Sequence, residues 1–164
     1  MNRSQSLQGP RGPRVAPAVL IRVSSLVYLF LMVGHTSGYP WASTRDPQET
    51  QLVDSMKSLE FVFAGRGSTY WNLYFGWGVL VAVLLLTQAI LLWLSSDLAR
   101  TAPRRIGFMT GLMSASSFIG AYLSFRFFYI PPVICYLIAG LLLLAAAVQL
   151  LQARSEVPDT LTTA

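Results

Sequence analysis

The sequence predicts an all-α membrane protein: a four-transmembrane-helix bundle with an amphipathic helix in its first outer loop. Three observations carry that expectation. Apolar residues make up 54% of the 164-residue chain and charged residues only 12%, about half the charged share of an ordinary soluble domain. The apolar residues gather into four runs of membrane-spanning length. The basic residues then divide unevenly between the two sides that those runs define. A soluble chain of this length could not cover so much apolar surface with so few charges, so lipid must cover it.

The first span is expected over 15–34, Val15 to Gly34, with Arg22, Ser24 and Ser25 as its interruptions. The second covers 73–94, Leu73 to Leu94, with Thr87 and Gln88 as polar members. The third, 106–125, runs from Ile106 to Phe125 without a charge. The fourth, 133–151, runs from Val133 to Leu151 and is the most lipid-like, with Leu141 to Leu144 followed by three alanines. At about 1.5 Å per residue each run reaches across the roughly 30 Å hydrocarbon core. No water serves the backbone at that depth, which leaves helix as the available conformation. The membrane domain is therefore 15–152. The arm 1–14, rich in Gly-Pro and arginine, and the tail 153–164 are expected to be disordered cytoplasmic segments. A cleaved signal peptide fits the first run less well: its apolar stretch is longer than a signal core, and Tyr39-Pro40-Trp41 is a poor cleavage neighbourhood.

Orientation follows from the basic residues. Arg3, Arg11, Arg14, Arg22, Arg100, Arg104, Arg105 and Arg154 lie on one side, and Arg45, Lys57, Arg66 and Arg126 on the other. Eight against four places both termini and the second loop in the cytoplasm. Asp46, Glu49, Asp54 and Glu60 neutralise the outer side, so the inner side holds the whole net charge of +5. The basic residues are scattered singly, without the cluster or stripe that phosphate binding needs. The expected partner is the lipid bilayer, and no nucleic acid.

The first outer loop, Thr36 to Asn72, is long enough to need structure of its own. Asp46 reads as an N-cap, Pro47 as the first helical residue and Glu49 as the far side of a capping box. Leu52, Met56, Leu59 and Phe63 then share one face, and Gly65 and Gly67 close the segment. A loop helix over about 47–63 is expected, lying on the outer ends of the bundle or flat in the headgroup layer. Phe61 points away from the stripe, so this helix is covered on a second side or ends early. Aromatic residues crowd the same side: Tyr39 and Trp41, then Tyr70, Trp71, Tyr74, Phe75 and Trp77, then Phe125, Phe127, Phe128 and Tyr129 around Arg126. The inner boundary has little beyond Trp93. An interfacial belt explains such residues, but a belt ordinarily rings both sides. A cap over an outward-opening pocket is the other reading.

Gly34-His35-Thr36-x-Gly38, Met56-x4-Phe61-x3-Gly65 and Thr69-Tyr70-Trp71-x2-Tyr74-x-Gly76-x-Gly78 together resemble the pattern of a family of small four-helix bacterial membrane proteins. The resemblance covers roughly Gly34 to Arg100 and implies the fold and a bacterial inner membrane. It brings no activity, cofactor or substrate. Members of that family often carry an aspartate where this chain has Asn72, a departure that weakens any requirement for an acid at that position.

His35, the sole histidine, falls where the first span meets the outer boundary. It could move a proton near neutral pH or make a structural hydrogen bond to a loop carbonyl or the helix end. One histidine and one cysteine do not form a metal set, and no metal or cofactor is expected. Glu60, at the edge of the loop stripe, calls for a partner in Arg66 or Arg126. His35, Glu60, Arg66, Tyr70, Trp71, Tyr74 and Arg126 are expected to converge on one outward-opening pocket, since three helix ends bring them to one depth. Arg22 is expected to snorkel to the headgroups, Thr87 and Gln88 to bond between helices, and Cys135 to be a buried, inert thiol. On the third span Gly107, Gly111, Ser114 and Ala121 share a small-residue face, beside Ser117 and Ser124. Internal packing is expected of it, with a homo-oligomer contact as the alternative.

These residues form no nucleophile–base pair, acid pair or metal set, so no catalytic residue is assigned. Nor do the spans hold the midplane charges or broken helices of a transporter. The function expected is therefore non-enzymatic binding of an apolar or amphiphilic ligand, or of a partner, under the aromatic cap. The alternative is a small membrane enzyme moving a proton on a lipid-like substrate with His35 and Glu60.

Overall fold

The computed structural model describes residues 16–38 and 46–152. The expected arm and tail, and the aromatic residues Tyr39 and Trp41, lie outside these. The element order is α1 (Pro17–Gly38), α2 (Pro47–Ser58), β1 (Glu60–Phe63), β2 (Arg66–Thr69), α3 (Tyr70–Leu98), α4 (Pro103–Phe127) and α5 (Ile130–Gln152). Four of these helices, α1, α3, α4 and α5, are long and apolar enough to cross a membrane. The all-α four-span architecture is as the sequence predicts.

Apart from the start of α1, at Pro17, the spans run past their expected bounds, because helix ends are set by local capping and proline placement as well as by apolar runs. Thr69 starts α3 three residues early by accepting a hydrogen bond from the Asn72 amide at 3.2 Å. Prolines occupy the first turns of α4 and α5, where a missing N–H removes no helical bond. Beyond Gly34, the Thr36 hydroxyl donates back to the Met32 carbonyl at 2.8 Å and keeps α1 wound.

The helices run up and down. Arg22 near the start of α1 meets Ser96 and Asp97 at the end of α3, and Gly107 near the start of α4 faces Leu151 at the end of α5. These residues mark the turn end of the bundle; α2 and the β1–β2 hairpin occupy the other, the hairpin end. α4 packs most extensively on α5, α1 lies between α3 and α5, and the consecutive helices α3 and α4 touch little. Their approach is at the turn end, where the Ser95 hydroxyl lies 3.9 Å from the Met109 sulfur.

The interior is small and hydroxylated while the outside is leucine-rich. Ser24, Ser25, Ser95, Ser96, Thr110, Ser114, Ser117 and Ser124 are buried along with Ala121, Ala139, Ala146 and Ala147. Leu84, Leu91, Leu112, Ile119 and Leu141 are exposed. Such a distribution suits a lipid surround, where apolar side chains lose nothing by facing outward. The small face of the third span is used internally, against α5. A Cβ on Gly107 would come within 3.0 Å of Leu151, one on Gly120 within 3.0 Å of the Tyr136 ring, and one on Gly140 within 3.1 Å of the Phe118 ring. Ser114 adds a 2.8 Å hydrogen bond to the Gly140 carbonyl.

Four expectations need correction. The loop helix stops at Ser58 instead of Phe63, and Glu60–Thr69 forms an antiparallel hairpin in which Phe63 pairs with Arg66 across the turn Ala64-Gly65. Both turn residues have positive φ, 51° and 80°, the signature of a tight two-residue hairpin turn. The Leu52–Phe63 stripe is consequently not buried: Leu52, Leu59 and Phe63 are exposed and Met56 is half-buried. Arg22 is held by protein, its guanidinium 2.6 Å from Asp97 and 3.0 Å from the Ser96 hydroxyl. Both partners are about half exposed, so the pair contributes on the order of 1 kcal/mol or less. Thr87 bonds within its own helix, to the Val83 carbonyl at 2.8 Å.

The α4–α5 contact generates a stability test. Gly140→Leu should destabilise the detergent-solubilised protein by about 1–3 kcal/mol through overpacking against Phe118. Gly76→Ala, whose added carbon meets nothing within 4 Å, should be neutral or raise stability by up to ~1 kcal/mol. Equal thermal-unfolding midpoints for the two variants would contradict the packing described.

Candidate functional site

Because α3 and α4 meet only at the turn end, space is left between the helices toward the hairpin end. It forms a partly open cavity of about 320 Å³, at the small end of the range for small-molecule sites. α1 contributes Phe30, Leu31, Gly34 and His35, and α3 contributes Val81 and Leu85. Ser124 comes from the end of α4, Phe128 and Tyr129 from the α4–α5 connection, and Pro131, Pro132, Cys135 and Tyr136 from the start of α5. The α4–α5 connection is only Phe128 and Tyr129. That short link, with the proline pair behind it, brings both helix ends to the same wall.

Tyr28 and Tyr136 meet edge to face below the cavity, with ring centroids 6.0 Å apart. Tyr28 is the largest fully buried side chain, and its hydroxyl lies 2.8 Å from that of Ser117. Ser117 in turn donates to the Met113 carbonyl at 2.8 Å, so the Tyr28 hydroxyl donates to Ser117. This chain ties α1 to α4 across the middle of the bundle. Alongside it the Ser25 hydroxyl donates to the Ala89 carbonyl of α3 at 2.6 Å.

His35 lies 3.0 Å through Nε2 from the Gly78 carbonyl of α3. A carbonyl only accepts, so Nε2 carries the proton. The histidine is thus a structural cross-link between α1 and α3, to a helical carbonyl rather than to a loop, and one wall of the cavity at the same time.

Of the seven residues expected to converge, His35 lines this cavity and the other six do not. Trp71 is half-buried against Tyr74, 5.9 Å between centroids, with the Lys57 ammonium 5.1 Å from its ring. Tyr70 packs on Phe61 at 4.9 Å. Glu60 is exposed in β1 opposite Thr69 and makes no ion pair among the described residues. Arg66 is exposed beside the hairpin turn, and the exposed Arg126 lies 5.4 Å from the Phe127 ring. Trp71, Tyr74 and Lys57 therefore form a separate cluster where α2 rests on α3. Tyr74, Trp77, Phe125 and Phe127 are exposed around the bundle, as belt residues are, whereas Tyr129 also lines the cavity.

Sequence reasoning named Ser124, Phe128, Tyr129 and Cys135 for other reasons and passed over Tyr136, Phe30, Leu31, Val81 and Leu85. Cys135 is half-buried on the cavity wall rather than enclosed. The available signal was Tyr28 and Tyr136, two phenols placed well inside apolar runs, where a hydroxyl needs a reason to be. Comparison with protein-family models, with curated proteins and with solved structures gave no match.

Exchanging His35 for leucine takes the donor from the Gly78 carbonyl. His35→Leu should lower the stability of the solubilised protein by about 1 kcal/mol, and His35→Gln, which keeps a donor, should recover part of it. Identical unfolding curves for the wild type and His35→Leu would show that the cross-link contributes nothing.

Proposed function

We propose that this four-span membrane protein binds a small apolar or amphiphilic molecule in the cavity between α1, α3, α4 and α5. The observation that carries the reading is the cavity itself: mainly apolar walls with a few polar side chains, His35, Ser124, Tyr129 and Tyr136, among them. That is the composition a small-molecule site requires. The proton-transfer alternative receives no such support, because Glu60 sits on the hairpin and does not share the cavity with His35. In the orientation favoured by the basic residues, the cavity lies in the outer half of the bilayer and the turn end faces the cytoplasm.

Gly34 supplies the test of binding. It lies on the cavity wall, and a carbon added there meets nothing within 4 Å, so Gly34→Leu is the variant chosen to narrow the space. Thermal unfolding of the solubilised protein across alkanes, fatty alcohols and phospholipids should show stabilisation in the wild type, about 2.7 kcal/mol at a hundredfold excess over Kd. Gly34→Leu should lose it. Shifts that persist unchanged in Gly34→Leu would place binding elsewhere and end this reading.

The orientation is tested separately by cysteine labelling in intact cells, in a Cys135→Ser background. An impermeant maleimide should label Ser58→Cys and spare Thr101→Cys, two exposed positions at opposite ends of the bundle. The reverse pattern would invert the topology.

A further inference from the structure

We infer that the cavity selects an electrically neutral molecule with a hydrogen-bonding oxygen, seated so that this oxygen meets Ser124 and the apolar remainder lies between α1 and α3. The inference rests on the reading that the cavity binds a small molecule, and it adds what kind.

The hydroxyls of the bundle supply the first argument. Among the described residues, eight hydroxyl-bearing side chains of serine and threonine are buried: Ser24, Ser25, Ser95, Ser96, Thr110, Ser114, Ser117 and Ser124. The first seven all donate to a backbone carbonyl, five on their own helix and none left over, and Ser25 and Ser114 on a neighbouring one. Ser124 does not. Its residue is only 5% exposed, yet its hydroxyl makes no hydrogen bond among the described residues. A serine in a helix ordinarily bonds back to the preceding turn when no better partner exists. No enclosed side-chain oxygen among the described residues lacks a partner, so the Ser124 oxygen borders open space. The open space beside it is the cavity. Tyr136, on the facing helix, lines the same cavity and its hydroxyl likewise makes no hydrogen bond among the described residues. Two phenol and alcohol groups without partners at an apolar cavity form a place for one complementary polar group.

Charge supplies the second. No Asp, Glu, Lys or Arg stands among the cavity-lining residues. Lys57, Glu60, Arg66 and Arg126, at the hairpin end, are exposed on the exterior described above. An ionic group entering this space would lose its hydration and gain no carboxylate, ammonium or guanidinium as a counter-ion. A neutral alcohol, ester or ketone loses far less and recovers it from Ser124 and Tyr136. The remaining walls near the centre of the bundle, Phe30, Leu31, Val81 and Leu85, offer only dispersion contacts and suit a hydrocarbon chain or ring.

Four probes of matched chain length separate the possibilities: decane, decanol, decylamine and decanoate, added to the solubilised full chain with unfolding followed by intrinsic fluorescence. In the wild type decanol should bind more tightly than decane, and the two ionic probes should shift the midpoint no more than they do in Gly34→Leu. Ser124→Ala should weaken decanol about 3–10-fold and leave decane unchanged, and Ser124→Thr should retain the preference. Taking the decanol-to-decane ratio within each variant keeps a general loss of stability from imitating the effect. Equal binding of decane and decanol in the wild type, or a ratio unmoved by Ser124→Ala, overturns the inference and leaves cavity binding intact. Tighter binding of decylamine or decanoate than of decanol overturns its neutrality. Absence of any Gly34-dependent shift overturns the binding reading itself.

Discussion

Backbone approach over small residues is the contact on which the arrangement depends. Between helices in lipid there is no hydrophobic force to collect leucines, so cohesion comes from close packing and from hydrogen bonds that need short distances. Gly107, Gly120 and Gly140 allow α4 and α5 to close on each other, with Leu151, Tyr136 and Phe118 seated against them. α1 then fits against α5 and α3 through Tyr28, Ser25 and His35. Each helix is thus held by another that is not always its neighbour in sequence. α3 and α4 meet chiefly at their connecting turn, and the cavity is the space this leaves. It is a consequence of where the small residues fall, and Tyr136 on its wall packs against Tyr28, which is bonded to Ser117.

The spans were legible because a membrane imposes their length: an uncharged run such as Ile106 to Phe125 has no alternative to a helix. Their ends were not, since Thr69 caps α3, and Pro103 and Pro131 sit in the first turns of α4 and α5, all beyond the apolar runs. The start of α2 could be read from Asp46, whose carboxylate accepts from the Gln48 amide at 2.8 Å. Its end could not, because Leu59 and Phe63 continue a helical spacing while Phe61 and Phe63 equally fit a strand. The turn decided the matter, and Ala64-Gly65 carried that information in a glycine set two residues before another. The site was read poorly for a different reason. Residues at the same helix end were grouped by depth, whereas a cavity is made by side chains facing one another across the bundle. Depth is a property of sequence position; facing depends on the rotation of four helices.

The stretches 34–38, 56–65 and 69–78 acquire physical roles that need no chemistry. His35 of the first stretch is bonded to Gly78 of the last. Phe61 of the second packs on Tyr70 of the third. Gly65 takes the positive φ of the hairpin turn, and Thr69 caps α3. Three separated stretches of sequence are thereby parts of one corner of the fold, where α1, α3 and the hairpin join.

The uncharged lining of the cavity also bears on energy supply. A membrane potential does work on charge, about 2.3 kcal/mol per elementary charge for each 100 mV crossed. Neither the walls described here nor a neutral occupant offers it a charge to act on. On the proposed reading, filling and emptying the cavity would follow the concentration of a neutral occupant in the lipid phase, and energising or collapsing the membrane would leave that equilibrium where it was.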